Sequence, residues 1–534
     1  MNQNHDTATS RSKKYKVRVI VIILMLTTGI WVSAKLLPAA GNLVSEARKI
    51  TAIMRLIQQA YVEDPDLSRL SEGAIEGMLK RLDPHSVYIT PKKQQEFSER
   101  DMGEFEGIGI SFVIQNELIT VISPITGTPS ERLGIHSGDR IVEIDGVSAY
   151  GITNDEVFKK LRGPKGTEVS IKVIREGLSE PLDFTIVRDK IPIKSVWSSF
   201  MLDDSTGYVM LNQFMATSTT ELEDALRKLE NFGMTRLIFD LRNNQGGRLS
   251  EAVSVADKFI PGGHTIVSRL GRTEKENQVY ESSSEATHPM FNLIVLINDG
   301  SASASEIVSG AIQDLDRGLI VGTRTFGKGL VQYPYQLNDG GVIRLSTAHW
   351  YTARGRLIQR PYDKGRGEYY AIRYKDPDEV KESEDREVFK TLGGREVFQF
   401  NGIEPDIEVE PGTITGATAR LRSERIIFNY AEEFKKKHDL TDKLNFQEFM
   451  HDFTITDDDL IGLIELASEK DITYPEEALE KDGDYLKRQI KSDLAQLIWN
   501  NQDYYYMVFT ASDRVVKRAM ELFDKAEEIS AIWH

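Results

Sequence analysis

The 534-residue sequence contains no cysteine. Disulfides, thiol nucleophiles, zinc–thiolate sites and iron–sulfur clusters are therefore excluded, and stability must come from packed cores. Positive charge is also scarce: 66 Lys and Arg face 82 Asp and Glu, a formal net charge of −16. A general nucleic-acid partner is not expected from that balance, because phosphate contacts need clustered basic side chains. Long apolar runs are few. The uncharged stretch from Val19 to Ala34 is long for a signal-peptide core and short for a full membrane span.

A cluster of basic charge flanks that stretch, with Arg11, Lys13, Lys14, Lys16 and Arg18 before it and Lys35 after it. A basic flank ahead of an apolar segment stays in the cytoplasm and sends the following chain across the membrane. Residues 1–40 are thus expected to be a cytoplasmic flank with a membrane anchor or a signal segment, Val32-Ser33-Ala34 being a candidate cleavage site. The body is then exported, to the periplasm or the periplasmic side of the inner membrane. Its length calls for three or four structural units.

Residues 41–102 read as a helical region. Ile50, Ile53, Met54, Ile57 and Tyr61 recur at helical spacing, as do Ile75, Met78, Leu79 and Leu82 ahead of Asp83-Pro84. Such stripes point to packing or dimerisation; His85, in the next turn, reads as structural. From 103 to 190 the period changes to two, giving a small β-rich domain with a helix from Asp155 to Leu161 capped by Asn154. From 191 to 412 strands and helices alternate, an α/β arrangement whose reactive loops lie at strand carboxyl ends. A polar insert occupies about 361–399, and residues 413–534 form an acidic helical extension with stripes such as Leu486, Ile490, Leu494 and Leu497.

The chemistry concentrates in Phe291 to Gln332. An apolar strand runs into Asp299-Gly300, then Ser301, Ser303 and Ser305 cluster where a helix begins. Free N–H groups and the dipole there stabilise a nearby oxyanion. Next comes Gly322-Thr-Arg-Thr-Phe-Gly327-Lys328-Gly329, a near miss for a phosphate loop that has Gly where the magnesium-binding Ser or Thr belongs. There is no G-x-S-x-G elbow, although His264 and His349 remain open as spatial neighbours. A buried lysine, its pKa lowered, is the simpler base for a serine. Upstream, Asp240-Leu-Arg-Asn-Asn-Gln-Gly246-Gly247 ends in two glycines, which make either a turn or a pair of bared N–H donors.

Two resemblances follow from these residues. Gly107-Ile108-Gly109-Ile110 opening a strand, with Ser137-Gly138-Asp139-Arg140-Ile141 downstream, resembles a PDZ domain. It implies a backbone nest for a peptide carboxylate at Gly107 to Ile110 and a groove lined by Val157, Phe158 and Leu161. Asp299-Gly-Ser-Ala-Ser-Ala-Ser-Glu-Ile307 and the loop through Lys328 to Gln332 resemble the carboxyl-terminal processing peptidases, or tail-specific proteases, and Leu82-Asp-Pro-His-Ser86, the PDZ-like insert, the Asp240 to Gly247 loop, Tyr351 to Gln359 and Gly402-Ile-Glu-Pro-Asp406 match in the same order. The resemblance spans roughly residues 45 to 410. It implies an α/β core of the ClpP/crotonase superfamily with Ser303 as nucleophile, Lys328 as general base, Gln332 orienting the lysine, and oxyanion donors at Ala304 together with Gly246 or Gly247. No metal or cofactor is implied. Expected partners are proteins or peptides with accessible apolar C-termini, an adaptor, and a second copy in a homodimer. The alternatives are a catalytically silent PDZ scaffold and a crotonase-like acyl-CoA enzyme, which the PDZ insert and export signal disfavour.

Overall fold

The computed structural model describes residues 42–175, 177–283, 288–371, 387–399 and 401–533. The basic flank, the Val19–Ala34 run and the Val32-Ser33-Ala34 site lie outside these residues. Among the described residues no helix is long and apolar enough to cross a membrane. The chain divides into two compact units, Met1–Leu82 and Asp83–His534.

The first unit contributes a helix over 42–60 and a second, Leu67–Leu79, which starts where the Asp66 carboxylate accepts from Ser68 and Arg69 N–H. Its apolar stripe is largely solvent-facing: Ile50, Ile53, Leu56, Leu70 and Met78 are all exposed.

The second unit begins with a strand inside what the sequence marks as a helical region broken at Asp83-Pro84. Val87–Ile89 is a strand, antiparallel to Val342–Arg344, before the helix Pro91–Met102. Two β-branched residues around a tyrosine favour that outcome once a partner strand is present. The β-rich domain follows as an antiparallel sheet in the order Ile110–Gln115, Leu118–Pro124, Arg140–Ile144, Glu168–Ile174, Leu182–Val187. The helix over its core, Asn154–Leu161, is capped by Thr153 rather than Asn154. Thr153 accepts from Glu156 N–H while the Glu156 carboxylate accepts from Thr153 N–H, a reciprocal box that the neighbouring Asn cannot form at its position.

The central sheet has the order Val196–Met201, Thr206–Leu211, Arg236–Asp240, Asn292–Ile297, Leu319–Gly322, Ile407–Glu408; the first pair is antiparallel and the rest parallel. Both faces are covered, which is why the strands read as unbroken apolar runs. Leu293, Val295 and Ile297 point into one core with the helices Ser218–Asn231, Leu249–Asp257 and Ala304–Asp314. Ile294 and Leu296 point to the opposite core, formed with Val515, Val516, Ala519 and Phe523 of the C-terminal helices Arg514–Met520 and Phe523–Ser530. The acidic extension is therefore in part the second cover of this sheet. Its earlier portion, including the long helix Glu476–Trp499, has a core of its own. A second sheet joins Val87–Ile89, Val342–Thr352, Thr265–Gly271 and Gln278–Glu281, with Leu330–Gln336 also on Val342–Thr352.

Candidate active site

The segments carrying the predicted site residues leave the carboxyl ends of three adjacent parallel strands: 240–247 after Arg236–Asp240, 298–303 after Asn292–Ile297, and 323–329 after Leu319–Gly322. Ligand and reaction sites gather at such edges because loops converge there on helix N-termini.

Burial separates the three serines. Ser301 is 0% exposed; its hydroxyl donates to Leu241 O at 2.8 Å and accepts from Asn298 N–H at 3.0 Å. Ser305 is likewise 0% exposed, its hydroxyl donating to Asn244 O at 2.8 Å. Ser303 lies partly open between them, as the N-cap of Ala304–Asp314, with φ 56° and ψ −111°. That pair of angles is outside the regions L-residues populate readily and makes a sharp strand-to-helix corner, without the flanking glycines of the familiar elbow motif.

Glu306 holds the corner. One carboxylate oxygen accepts from Ser303 N–H at 2.7 Å and Lys328 N–H at 2.9 Å; the other accepts from Gly327 N–H and the Thr325 hydroxyl, both at 2.6 Å. It is 0% exposed, and burial pushes its pKa up against the pull of those donors. Only the ionised form can accept from all four, so the geometry calls for the carboxylate. The motifs by themselves assign Glu306 no role; the signal in the sequence is the S-x-x-E spacing of a capping box.

Lys328 is carried on a loop that Glu306 grips from one side and the Trp350 indole from the other, Nε1 donating to Lys328 O at 3.1 Å. Its amine donates to Gln332 Oε1 at 2.9 Å, and Gln332 Nε2 donates to His85 O at 2.6 Å. Burial lowers the Lys328 pKa; the Arg344 charge adds to this, and Glu306 and Asp83 oppose it. Among the described residues no hydrogen bond joins Lys328 Nζ to Ser303 Oγ. His85 lies in a turn held by Asp83, which accepts from His85 and Ser86 N–H at 2.7 Å each. Burial and the neighbouring Lys328 take its imidazole down to about 4, so the ring is neutral at ordinary pH. Part of the polar insert closes over this turn: Tyr369 OH is 2.6 Å from His85 Nε2, and Arg366 donates to Pro84 O at 2.8 Å. Residues 372–386 of the insert lie outside the described residues. Among the described residues neither spare histidine ring bonds a serine hydroxyl: the His264 ring packs edge-on against Trp533, and His349 stands across the second sheet from Leu330.

The two glycines differ. At Gly246 (φ 93°) a Cβ would fall 2.8 Å from Ser303 Cβ and 2.9 Å from Ala304 N, so this loop touches the serine corner and only glycine fits. At Gly247 a Cβ would stand 2.0 Å from Phe214 O. Gly246 is buried and its N–H donates to Asn244 Oδ1 at 2.9 Å. Among the described residues, the N–H groups of Gly247 and Ala304 have no acceptor.

In the β-rich domain, Gly109 (φ 83°) packs against Thr128 where a Cβ would come within 2.3 Å, and Ile108 O and Gly109 O accept from Ser130 and Ile125 N–H. Of the three groove candidates, Phe158 is 43% exposed and packs on Phe112. Val157 and Leu161 instead fill the domain core, because residues four apart on a helix share a face. Arg162 pairs with Glu99 and lies over the Phe105 and Phe158 rings, 4.6 and 4.8 Å from their centres, tying the domain to the helix Pro91–Met102.

Four family models match in chain order: the activating protease CtpB N-terminal domain over 33–93, a PDZ domain over 98–174, peptidase family S41 over 205–363, and a family of unknown function over 418–500. The carboxy-terminal-processing protease of Bartonella bacilliformis is 38% identical over 348 residues, covering 63% of this chain and 80% of the relative. A probable CtpA-like serine protease of Staphylococcus aureus (strain COL) is 37% identical over 317 residues, 59% of this chain and 63% of the relative. Among solved structures, the photosystem II D1 C-terminal processing protease aligns at 25% identity and TM-score 0.33, covering 67% of this chain and 91% of the other. The PDZ domain of a carboxy-terminal protease from Vibrio cholerae, solved with a peptide, aligns at 33% identity and TM-score 0.16 over 16% of this chain and 97% of that one. With a protease relative matched over four fifths of its length, the chain belongs to peptidase family S41, the carboxy-terminal-processing proteases, and carries their PDZ domain.

Proposed function

We propose that this protease is an exported serine endopeptidase, with a crotonase-like core, that takes protein C-termini through its PDZ domain. Ser303 Oγ attacks the scissile carbonyl, neutral Lys328 accepts its proton and returns it to the leaving amine, and an acyl-enzyme forms and is hydrolysed. The N–H groups of Ala304 and Gly247 receive the oxyanion, and Gln332 holds the amine in register. The observation that carries this reading is the single Glu306 oxygen bonded to both Ser303 N–H and Lys328 N–H, which ties the two residues to one rigid anchor. The missing bond between hydroxyl and amine is one that substrate binding is expected to close, as catalytic hydrogen bonds tighten in the Michaelis complex.

One experiment tests both halves. An unfolded protein with an apolar C-terminus is cleaved across a pH series, with its terminal carboxylate free or amidated. A lysine base must be neutral, so kcat/KM is expected to rise with pH through the depressed Lys328 pKa and level off above it. The same depression means that the unfolded chain binds the proton more tightly, so this group's contribution to stability is present above the ordinary lysine pKa and lost as pH falls through the folded one. A rate flat into acid rejects the lysine base. Amidation is expected to raise KM by about tenfold, the loss of roughly one charge-assisted contact; an unchanged KM rejects capture of the carboxylate.

A further inference from the structure

The mechanism above leaves the C-terminal extension without a task, yet one of its side chains reaches the loop that ends at Gly246-Gly247. Arg242, two residues beyond the strand Arg236–Asp240, forks between two acids. Its Nε lies 3.0 Å from each oxygen of Asp240 and its Nη2 2.6 Å from Oδ2, while Nη1 donates to both oxygens of Asp513 at 3.2 and 3.0 Å. Tyr208 OH adds a bond to Asp240 Oδ2 at 2.7 Å. The two acids are buried, Asp240 at 0% and Asp513 at 8% exposed, and the Arg242 side chain is 13% exposed. Asp513 is also the N-cap of Arg514–Met520, accepting from Val515 and Val516 N–H, and that helix is seated on the central sheet through Val515 and Val516.

Such an arrangement holds geometry more than it adds stability. Buried ion pairs recover little beyond their desolvation, but removing one partner strands the other charge. Here Asp240 would still neutralise Arg242 if Asp513 were removed; what would be lost is the second arm of the fork, which fixes Nη1 and so the direction of the side chain at the root of the loop. Beyond it the chain passes through Asn243 at φ 60°, whose N–H donates to Asn298 Oδ1 at 2.8 Å, and Asn244, whose O accepts from Ala302 N–H at 2.9 Å. It then reaches Gly246 against the serine corner. A shift at Arg242 therefore propagates within four residues to Gly246, which abuts the serine corner, and within five to the Gly247 N–H.

We propose that Asp513 is a positioning residue of the active site: by clamping Arg242 it sets the 240–247 loop so that the Gly247 N–H meets the developing oxyanion, which makes the C-terminal extension part of the catalytic apparatus. The proposal rests on the Ser303 and oxyanion roles given above.

The test uses the full chain. Asp513→Asn keeps a capping oxygen and removes the charge facing Arg242. It is expected to lower kcat by about 10- to 100-fold at unchanged KM, since small displacements of oriented donors have effects of that size. Affinity for a peptide boronate, which forms a tetrahedral adduct at the serine, should fall in parallel, whereas affinity for a short C-terminal peptide at the PDZ domain stays the same. Asp513→Glu, which retains the charge, should recover part of the loss. A lowered melting temperature with native kcat and native boronate affinity overturns the proposal. If Asp513→Asn does not fold, Arg242→Lys, which keeps the charge and loses the fork, is read by the same measurements. Ser303→Ala is assayed alongside: if it is inactive and Asp513→Asn has native kcat, the clamp alone is rejected; if it is active, the site assignment is rejected and the clamp with it.

Discussion

Ser303→Ala is expected to lower kcat/KM by at least about 10⁴-fold and to leave the melting temperature within about 3 °C of native. The loss is large because no covalent intermediate can form, and a residue of activity should persist from oxyanion donors and substrate binding. The small stability effect follows from the contacts. Ser303 fastens the corner through its backbone N–H to Glu306, which alanine keeps, and alanine occupies the strained φ of 56° with the same Cβ. The neighbouring serines should behave in the opposite way. Ser301→Ala leaves Asn298 N–H without its partner and takes one of two donors from Leu241 O, which keeps Asn244 N–H, for a cost of about 1–3 kcal/mol; Ser305→Ala takes one of two donors from Asn244 O, which keeps Ala302 N–H, for about 0.5–1.5 kcal/mol. Melting curves and initial rates on the three variants distinguish nucleophile from scaffold. A Ser303→Ala protein within about tenfold of native activity would sink the assignment, because positioning effects alone reach that size.

The second large effect is expected at Glu306. Glu306→Gln is nearly isosteric but can accept on one side only, so two of the four donors at Ser303, Thr325, Gly327 and Lys328 face an amide N–H₂. Two buried donors left unmet amount to about 2–6 kcal/mol of stability. Because one of the carboxylate oxygens bridges the Ser303 and Lys328 backbones, the variant should also lose about 10²-fold in kcat through misplacement of the pair. Denaturant unfolding with single-turnover kinetics checks both numbers. Native kcat in a destabilised protein would make Glu306 a folding residue only.

Local chemistry was legible in the sequence. Alternation of period two marked 103–190 as a small β-rich domain, whose strands run from Glu104–Gly107 to Asp189–Pro192, and continuous apolar runs marked the doubly covered central sheet. The S-x-x-E spacing was visible too, as were the two adjacent glycines, since caps and tight turns are written in consecutive residues. Val87–Ile89 was not, because a three-residue strand exists only by virtue of its partner at Val342–Arg344. Thr153 and Asn154 are equally good caps by type, and the choice fell to the residue whose third successor is Glu156.

By itself, then, the sequence determined the elements, their order, and the family to which the motifs point, because each of these is encoded over a window of a few residues to a few tens. Tertiary structure decided which of three serines reaches solvent, which of two glycine N–H groups is taken by Asn244, and that Lys328 is steadied through Gln332 by the His85 turn. It also brought Asp513 to Arg242 across 271 positions of chain. These outcomes depend on burial and on hydrogen-bond partners remote in sequence, whose energies arise only when desolvated groups are brought together.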